Sequence, residues 1–410
     1  MIKDEKIRQF PEGFLWGAST SAYQVEGGIT NDWSQWEMSE KRLKELQDKK
    51  LDYRDFVAGS ACDFYNRYAE DVVLAKKINL GGFRLGIEWA RIEPRKGEFD
   101  RKEIEHYRQV LTELKKNDLK TVLTLWHWTN PLWLAEEGGW SNKKVADYFV
   151  RYVEFVVAEL GDLVDFWVTI NEPTIHVLDG YLRGKFPPNK KNIFLAAKTF
   201  FILAKAHNRA YSIIHKIYPK AKVGLTHLGN NFEPARHWFL PDIILTALLN
   251  FICNGLFIGL IKKQLDYLGL DYYFHDRVVW RPPFIKNLNK ETTDFGWEIY
   301  PRGIYNVLKS LKHFKKPIII MENGIADAAD AKRGKFITDH LRFVYQAITE
   351  GVDVRGYFYW SLLDNFEWAA GWTMKFGLYS LDRNTFERKM RPSALVYAEI
   401  CRTNSIKADN

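Results

Sequence analysis

The chain has 410 residues, 46 % of them hydrophobic and 27 % charged, a balance typical of soluble globular proteins and a length that α/β barrels reach as one domain. Its net charge of +8 raises nucleic acid or a membrane surface as partners, yet no long basic run and no Gly-rich phosphate loop is present. Pairs such as Lys41-Arg42, Lys115-Lys116, Lys190-Lys191 and Lys262-Lys263 read instead as solvated helix ends, dispersed along the chain. Cys62, Cys253 and Cys401 are too few and too scattered for a disulfide framework or a zinc site, which points to a reducing, cytoplasmic home. Residues 1–8 are charged and carry no apolar core of a signal peptide. The 15 Trp exceed what a core usually needs; core packing accounts for about half, and indoles suit flat sugar faces.

In chain order, short apolar runs at 15–18, 83–87, 121–125, 166–170, 223–226, 268–272, 318–321 and 356–360 read as strands. Between them, 63–78, 103–116, 145–159, 196–217, 304–314 and 335–350 have helical periodicity and the length of crossover helices. This alternation predicts an α/β fold, a (β/α)8 TIM barrel, as a single domain over residues 1–410; a doubly wound open sheet is the other option, without a GxGxxG after its first strand. Longer loops at 26–61 and 180–192 each follow a strand end, where barrel enzymes keep their active-site loops.

Residues 243–261 are almost entirely apolar, broken by Asn250 and Asn254, and nearly long enough to span a bilayer. Asp242 looks like its N-cap, and Lys262-Lys263 suit its C-terminus. In the middle of a soluble repeat, membrane insertion is not expected. A helix outside the barrel with an exposed apolar face is, serving surface association, homo-oligomerisation or a greasy aglycone.

Chemistry in a barrel sits at the C-terminal ends of its strands. The fourth run ends in Asn171-Glu172-Pro173 and the seventh in Glu322-Asn323-Gly324, each acid followed by a residue that breaks the strand. One such Glu alone is a solvated loop residue or a salt-bridge partner. Two, facing each other across a mouth, are the kit for glycoside hydrolysis, one giving a proton and the other attacking the anomeric carbon or activating water.

The chain resembles glycoside hydrolase family 1, nearly end to end. The motifs are Thr169-Ile170-Asn171-Glu172-Pro173 and Ile320-Met321-Glu322-Asn323-Gly324, the start Phe14-Leu15-Trp16-Gly17-Ala18-Ser19-Thr20, and Tyr23-Gln24-Val25-Glu26-Gly27. Phe83-Arg84-Leu85, Trp126-His127-Trp128, the run from Trp360 to Trp368, Phe376-Gly377-Leu378 and Arg391-Pro392-Ser393-Ala394 extend the likeness. It implies a retaining β-glycosidase, β-glucosidase-like, with Glu322 as nucleophile and Glu172 as general acid/base, their carboxyls roughly 5–5.5 Å apart. Glu172 is then raised into the working range while Glu322 stays ionised.

The resemblance also implies that Arg84 supports the nucleophile and Tyr273 hydrogen-bonds it. Gln24, His127, Asn171 and Glu367 hold sugar hydroxyls, Asn171 facing the 2-hydroxyl. Trp360 is the platform under the glycone, with Trp368 at its edge. Family members acting on 6-phosphosugars replace the Glu367-Trp368 pair with smaller polar and basic residues, and a carboxylate there repels phosphate, so an unphosphorylated glycone is expected. The partner is a small β-glycoside or oligosaccharide; no metal, cofactor or nucleic acid is called for.

Two departures stand out. Residues 228–267 are short for the family and unusually apolar, cutting back the loop that shapes the aglycone side. Asp271 occupies the place of the family's usual Asn, either as a third carboxylate beside Glu172 and Glu322, ionised or kept protonated so that it mimics the Asn donor, or turned away into a salt bridge behind the strand. These departures keep two further readings open, a sugar-binding barrel of weak activity and a transglycosidase.

Overall fold

The computed structural model describes residues 7–407; residues 408–410 and residues 1–6 of the charged start lie outside the described residues. Eight parallel strands form the barrel wall: β1 (Leu15–Ser19), β2 (Gly82–Gly86), β3 (Lys120–Thr124), β4 (Phe166–Val168), β5 (Val223–Gly224, resuming as Thr226–Pro234), β6 (Leu268–Val278), β7 (Ile318–Asn323) and β8 (Val354–Trp360). Each pairs with the next, β5 joining β4 through its first segment and β6 through its second, and β8 pairs with β1 to close the ring. Closure leaves no free edge, so every strand can be apolar on both faces.

The outer ring is α1 (Phe64–Lys77), α2 (Arg101–Lys116), α3 (Val145–Leu160), α4 (Ile193–Ile217), α5 (Leu240–Ile261), α6 (Arg302–Leu311), α7 (Arg333–Thr349) and α8 (Pro392–Thr403). Local chemistry starts several of them. Asp100 accepts the Lys102 and Glu103 amides ahead of α2, and Asn192 accepts those of Phe194 and Leu195 ahead of α4. Two short antiparallel pairs lie outside the barrel: Ile7–Gln9 with Ser405–Lys407, and Tyr379–Leu381 with Arg388–Met390.

The β5–β6 quarter departs most from the sequence reading. Residues 228–267 fold as the continuation of β5 to Pro234 and the helix α5, and β6 runs on to Val278, well past the rim where their neighbours stop. His275 clamps the two extensions, its ring nitrogens 2.7 Å from Glu233 and 2.7 Å from Glu298, with Arg277 on Glu298 at 2.6 Å.

Against these extensions lies α5, whose turns widen to i→i+5 over Asn250–Leu256. Asp242 is inside the helix rather than its cap. Its carboxylate takes Arg236 at 2.7 and 2.9 Å and the Trp280 amide at 2.9 Å. Thr246 bonds back to the Asp242 carbonyl, Asn250 donates to the Phe232 carbonyl, and Asn254 exchanges two bonds with the Asn230 backbone. Polar residues at every fourth position therefore face the protein. Leaving any one without its partner costs about 1–3 kcal/mol.

Candidate active site

Each candidate side chain emerges at the C-terminal rim of a strand. Arg84 comes from β2, Asp271 and Tyr273 from β6, Glu322 from β7 and Trp360 from β8; His127, Asn171 and Glu172 follow β3 and β4 directly. Side chains alternate along a strand, so Asp271 and Tyr273 share the inner face while Tyr272 points outward, its hydroxyl on the Tyr300 carbonyl. That alternation overturns a salt bridge behind the strand for Asp271.

At Glu172 the chain turns through a left-handed conformation (φ 39°) straight into the Pro173–Val177 helix. Trp128 (φ 72°) and Trp368 (φ 49°) are held in the same region, each at a cost on the order of 1 kcal/mol. Gly324 is needed for space rather than for φ: a Cβ there would lie 1.8 Å from the Trp360 carbonyl oxygen.

One carboxylate oxygen from each of Glu172, Asp271 and Glu322 lies within 4.8 Å of the other two. All three residues are buried. Oxygens of Glu172 and Glu322 thus come within 4.8 Å of each other, close enough to suit direct attack on a sugar held between them. The three acids are unequally served. Glu322 accepts Arg84 Nη1 at 2.5 Å and the Tyr273 hydroxyl at 2.9 Å. Asp271 has no such donor fixed on it; the groups that face its carboxyl are Glu172 and the Thr226 hydroxyl.

Burial, followed by the charges of Asp271 and Glu322, holds Glu172 well above the usual carboxylate range. Asp271 is pushed well up by burial and by Glu322. Burial raises Glu322 as well, but Arg84 and Tyr273 pull it back. Glu322 therefore ionises first, and the next proton belongs to Glu172 and Asp271 together. The same three oxygens are close enough to hold a cation, yet the Arg84 guanidinium already occupies that electrostatic role.

Around them the polar residues are fixed by neighbours and left with one free valence each. Asn171 Oδ1 accepts from Arg84 Nη2 and from Thr226 Oγ1, which sets its amide to face His127 Nε2 at 2.9 Å. His127 is kept neutral by burial, then by the Arg84 charge. With Nε2 accepting from Asn171, its Nδ1 bears the hydrogen, and that atom is buried without a partner. Gln24 donates to the Phe366 carbonyl at 2.8 Å and leaves Oε1 unpaired. Burial and the Glu322 charge push Glu367 up to about 8, against donors on Trp360 and Gln24. Near neutral pH Glu367 is thus mostly protonated, which weakens the charge argument against phosphorylated sugars. Trp368 packs on Tyr23, Trp33 and Trp128, and Trp360 sits with Phe376 and Tyr273.

Every candidate thus reaches one mouth. Sequence reasoning missed the supports: Thr124, which accepts from Arg84 Nε at 3.1 Å, Thr226 on Asn171, and Trp128, whose indole N–H donates to the Asn171 carbonyl. Thr124 and Thr226 were readable as polar residues closing short apolar strands. The buried side chain of Trp128 was not, because its partner lies on the neighbouring strand's loop.

Comparison with known proteins agrees over the whole chain. Glycosyl hydrolase family 1 matches residues 6–259 and 257–406, the two blocks meeting inside α5. A 1,4-beta-D-glucan glucohydrolase of Thermotoga neapolitana is 32 % identical over 98 % of this chain and 100 % of its own. A chloroplastic galactolipid galactosyltransferase of Arabidopsis thaliana is 34 % identical over 84 % of this chain and 58 % of its own. The solved beta-glycosidase from Pyrococcus horikoshii superposes with a TM-score of 0.90 at 33 % identity, covering 98 % of this chain and 97 % of that one.

Proposed function

The chain belongs to glycosyl hydrolase family 1, and from that premise we propose that Glu322 and Glu172 divide the chemistry of a retaining β-glycosidase between them. The enzyme is a glycoside hydrolase that works by double displacement. In the first step a Glu322 oxygen attacks the anomeric carbon while the Glu172 proton goes to the departing oxygen. In the second, Glu172 takes a proton from water, which displaces Glu322 from the sugar.

The single observation that carries this assignment is the asymmetry between two close acids. Glu322 is held as the anion by Arg84 and Tyr273, and Glu172, with the raised pKa, keeps a proton to give. Asn171, His127 and Gln24 present unpaired polar atoms to the sugar, and Trp360 offers it a flat apolar floor. Arg84, Tyr273 and Trp368 serve as positioning residues. No basic group is among the described residues that act on Glu367, which favours an unphosphorylated glycone. Three free cysteines support a reducing, cytoplasmic setting.

The test is to trap the intermediate. A 2-deoxy-2-fluoro β-glucoside with an activated leaving group should label the peptide holding Glu322, read by mass spectrometry. A label elsewhere, or an α-configured first product by NMR, overturns the assignment. A second reading, transfer to another sugar in place of water, is favoured by the galactosyltransferase relative. Product analysis with added sugar acceptors measures that partition.

A further inference from the structure

The helix α5 presents to solvent the face that a soluble barrel helix normally hides. Its polar stripe is taken up by the flared strands, and Ile244, Leu248, Phe251 and Ile252 are left outside. The apolar face continues onto its neighbours. Phe194 at the start of α4 is 83 % exposed and Trp238 just before α5 is 80 % exposed, with Trp280 and Phe284 exposed beyond β6. Topology gathers them at the mouth end, where barrel helices begin and strands finish. Phe200 of α4 meets Phe257 of α5 edge-on at 5.1 Å, and the Trp280 amide bonds Asp242.

Charge singles out the occupant. Over residues 182–205, 236–264 and 278–290 the only acid is Asp242, and Arg236 already pairs with it. Lys190, Lys191, Arg281, Lys286 and Lys290 stand exposed in those segments, while Arg183 pairs with Asp179 just outside them. Basic residues that read as dispersed in the sequence thus frame one apolar face. A second copy of the chain on a two-fold axis would bring this positive frame against itself. An anionic bilayer meets both halves, apolar to apolar and negative to positive. Spanning is disfavoured, because the helix would strip Asp242, Asn250 and Asn254 of their partners.

We propose that this face rests in the headgroup layer of an anionic membrane, with the catalytic mouth beside it, so that the enzyme takes β-glycosides whose apolar aglycone stays in the lipid. The substrate half of this rests on the glycosidase reading; the docking half does not.

Co-sedimentation tests it with vesicles of phosphatidylcholine plus phosphatidylglycerol against phosphatidylcholine alone. The protein should pellet with the anionic vesicles, less so as salt rises. Ile244→Glu with Phe251→Glu should weaken that binding by about tenfold or more. Lys286→Glu with Lys290→Glu, which leaves the apolar face intact, should weaken binding to the anionic vesicles alone. Neither pair should alter turnover of a soluble aryl β-glucoside, while hydrolysis of a long-chain alkyl β-glucoside held in anionic vesicles should fall with binding. A wild-type protein that stays in the supernatant overturns docking, as does a dimer in sedimentation velocity that Phe251→Glu splits. Failure of the wild type on the aryl glucoside alone would instead strike the glycosidase reading.

Discussion

The mouth of the barrel buries charge, and the helix beside it exposes apolar side chains; the two regions invert the usual partition in opposite directions. In the mouth, three carboxylates and one guanidinium sit out of water with several polar atoms unpaired. On α5, side chains that belong in a core face outward while the polar ones are spent inward. Neither region is a lapse of folding, since each is held by specific bonds. Each is unfinished in the isolated chain and is completed by something from outside, a sugar in one case and, by our proposal, lipid in the other.

The sharpest way to break the first half of that contrast is Glu322→Ala. Turnover should fall by about 10⁴-fold or more, and azide or formate should restore part of it by filling the vacated space. Normal activity on an aryl glycoside would move the nucleophile elsewhere. Glu172→Ala should cost about 10²–10⁴-fold on substrates with poor leaving groups and far less on activated ones, because those need little protonation. Equal losses on both would remove Glu172 from the acid role.

Asp271→Asn tests whether buried charge, rather than shape, matters at the third carboxylate. Asp271 helps raise Glu172, so its neutralisation should let Glu172 lose its proton sooner. The alkaline limb of kcat/KM, which reports that loss, should move to lower pH. An unmoved limb with unaltered rates would leave Asp271 as filler. The smallest effect belongs to Glu367. Because its carboxyl ionises near pH 8, preference for a β-glucoside over its 6-phosphate should grow as pH rises through about 8. Glu367→Gln should flatten that trend, and a flat wild-type profile would sink the electrostatic account.

The legibility of these regions in the sequence differed for physical reasons. Runs such as Ile318-Ile319-Ile320-Met321 announce a buried strand, and an acid directly after one is conspicuous, so the barrel and Glu172 with Glu322 could be read directly. The inward aim of Asp271 was also within reach, through its two-residue spacing from Tyr273. The extension of β5 was not: residues 229–234, Gly-Asn-Asn-Phe-Glu-Pro, carry no strand pattern of their own and are ordered by β6 and α5. The neutral state of Glu367 depends on burial that no local sequence encodes. The basic frame around α5 is built from three segments far apart in the chain, so its charges looked scattered until the fold brought them together.

The pairing of Ile7–Gln9 with Ser405–Lys407 has a practical consequence. The first strand precedes β1 and the second follows α8, so both described ends emerge at the base of the barrel, opposite the mouth. A handle fused at either end, or a bead that grips it, should leave the catalytic opening and the α5 face pointing away from the support. Immobilisation through the termini is therefore expected to preserve access for soluble glycosides and for vesicles alike, whereas coupling through surface lysines would consume the very groups that frame α5.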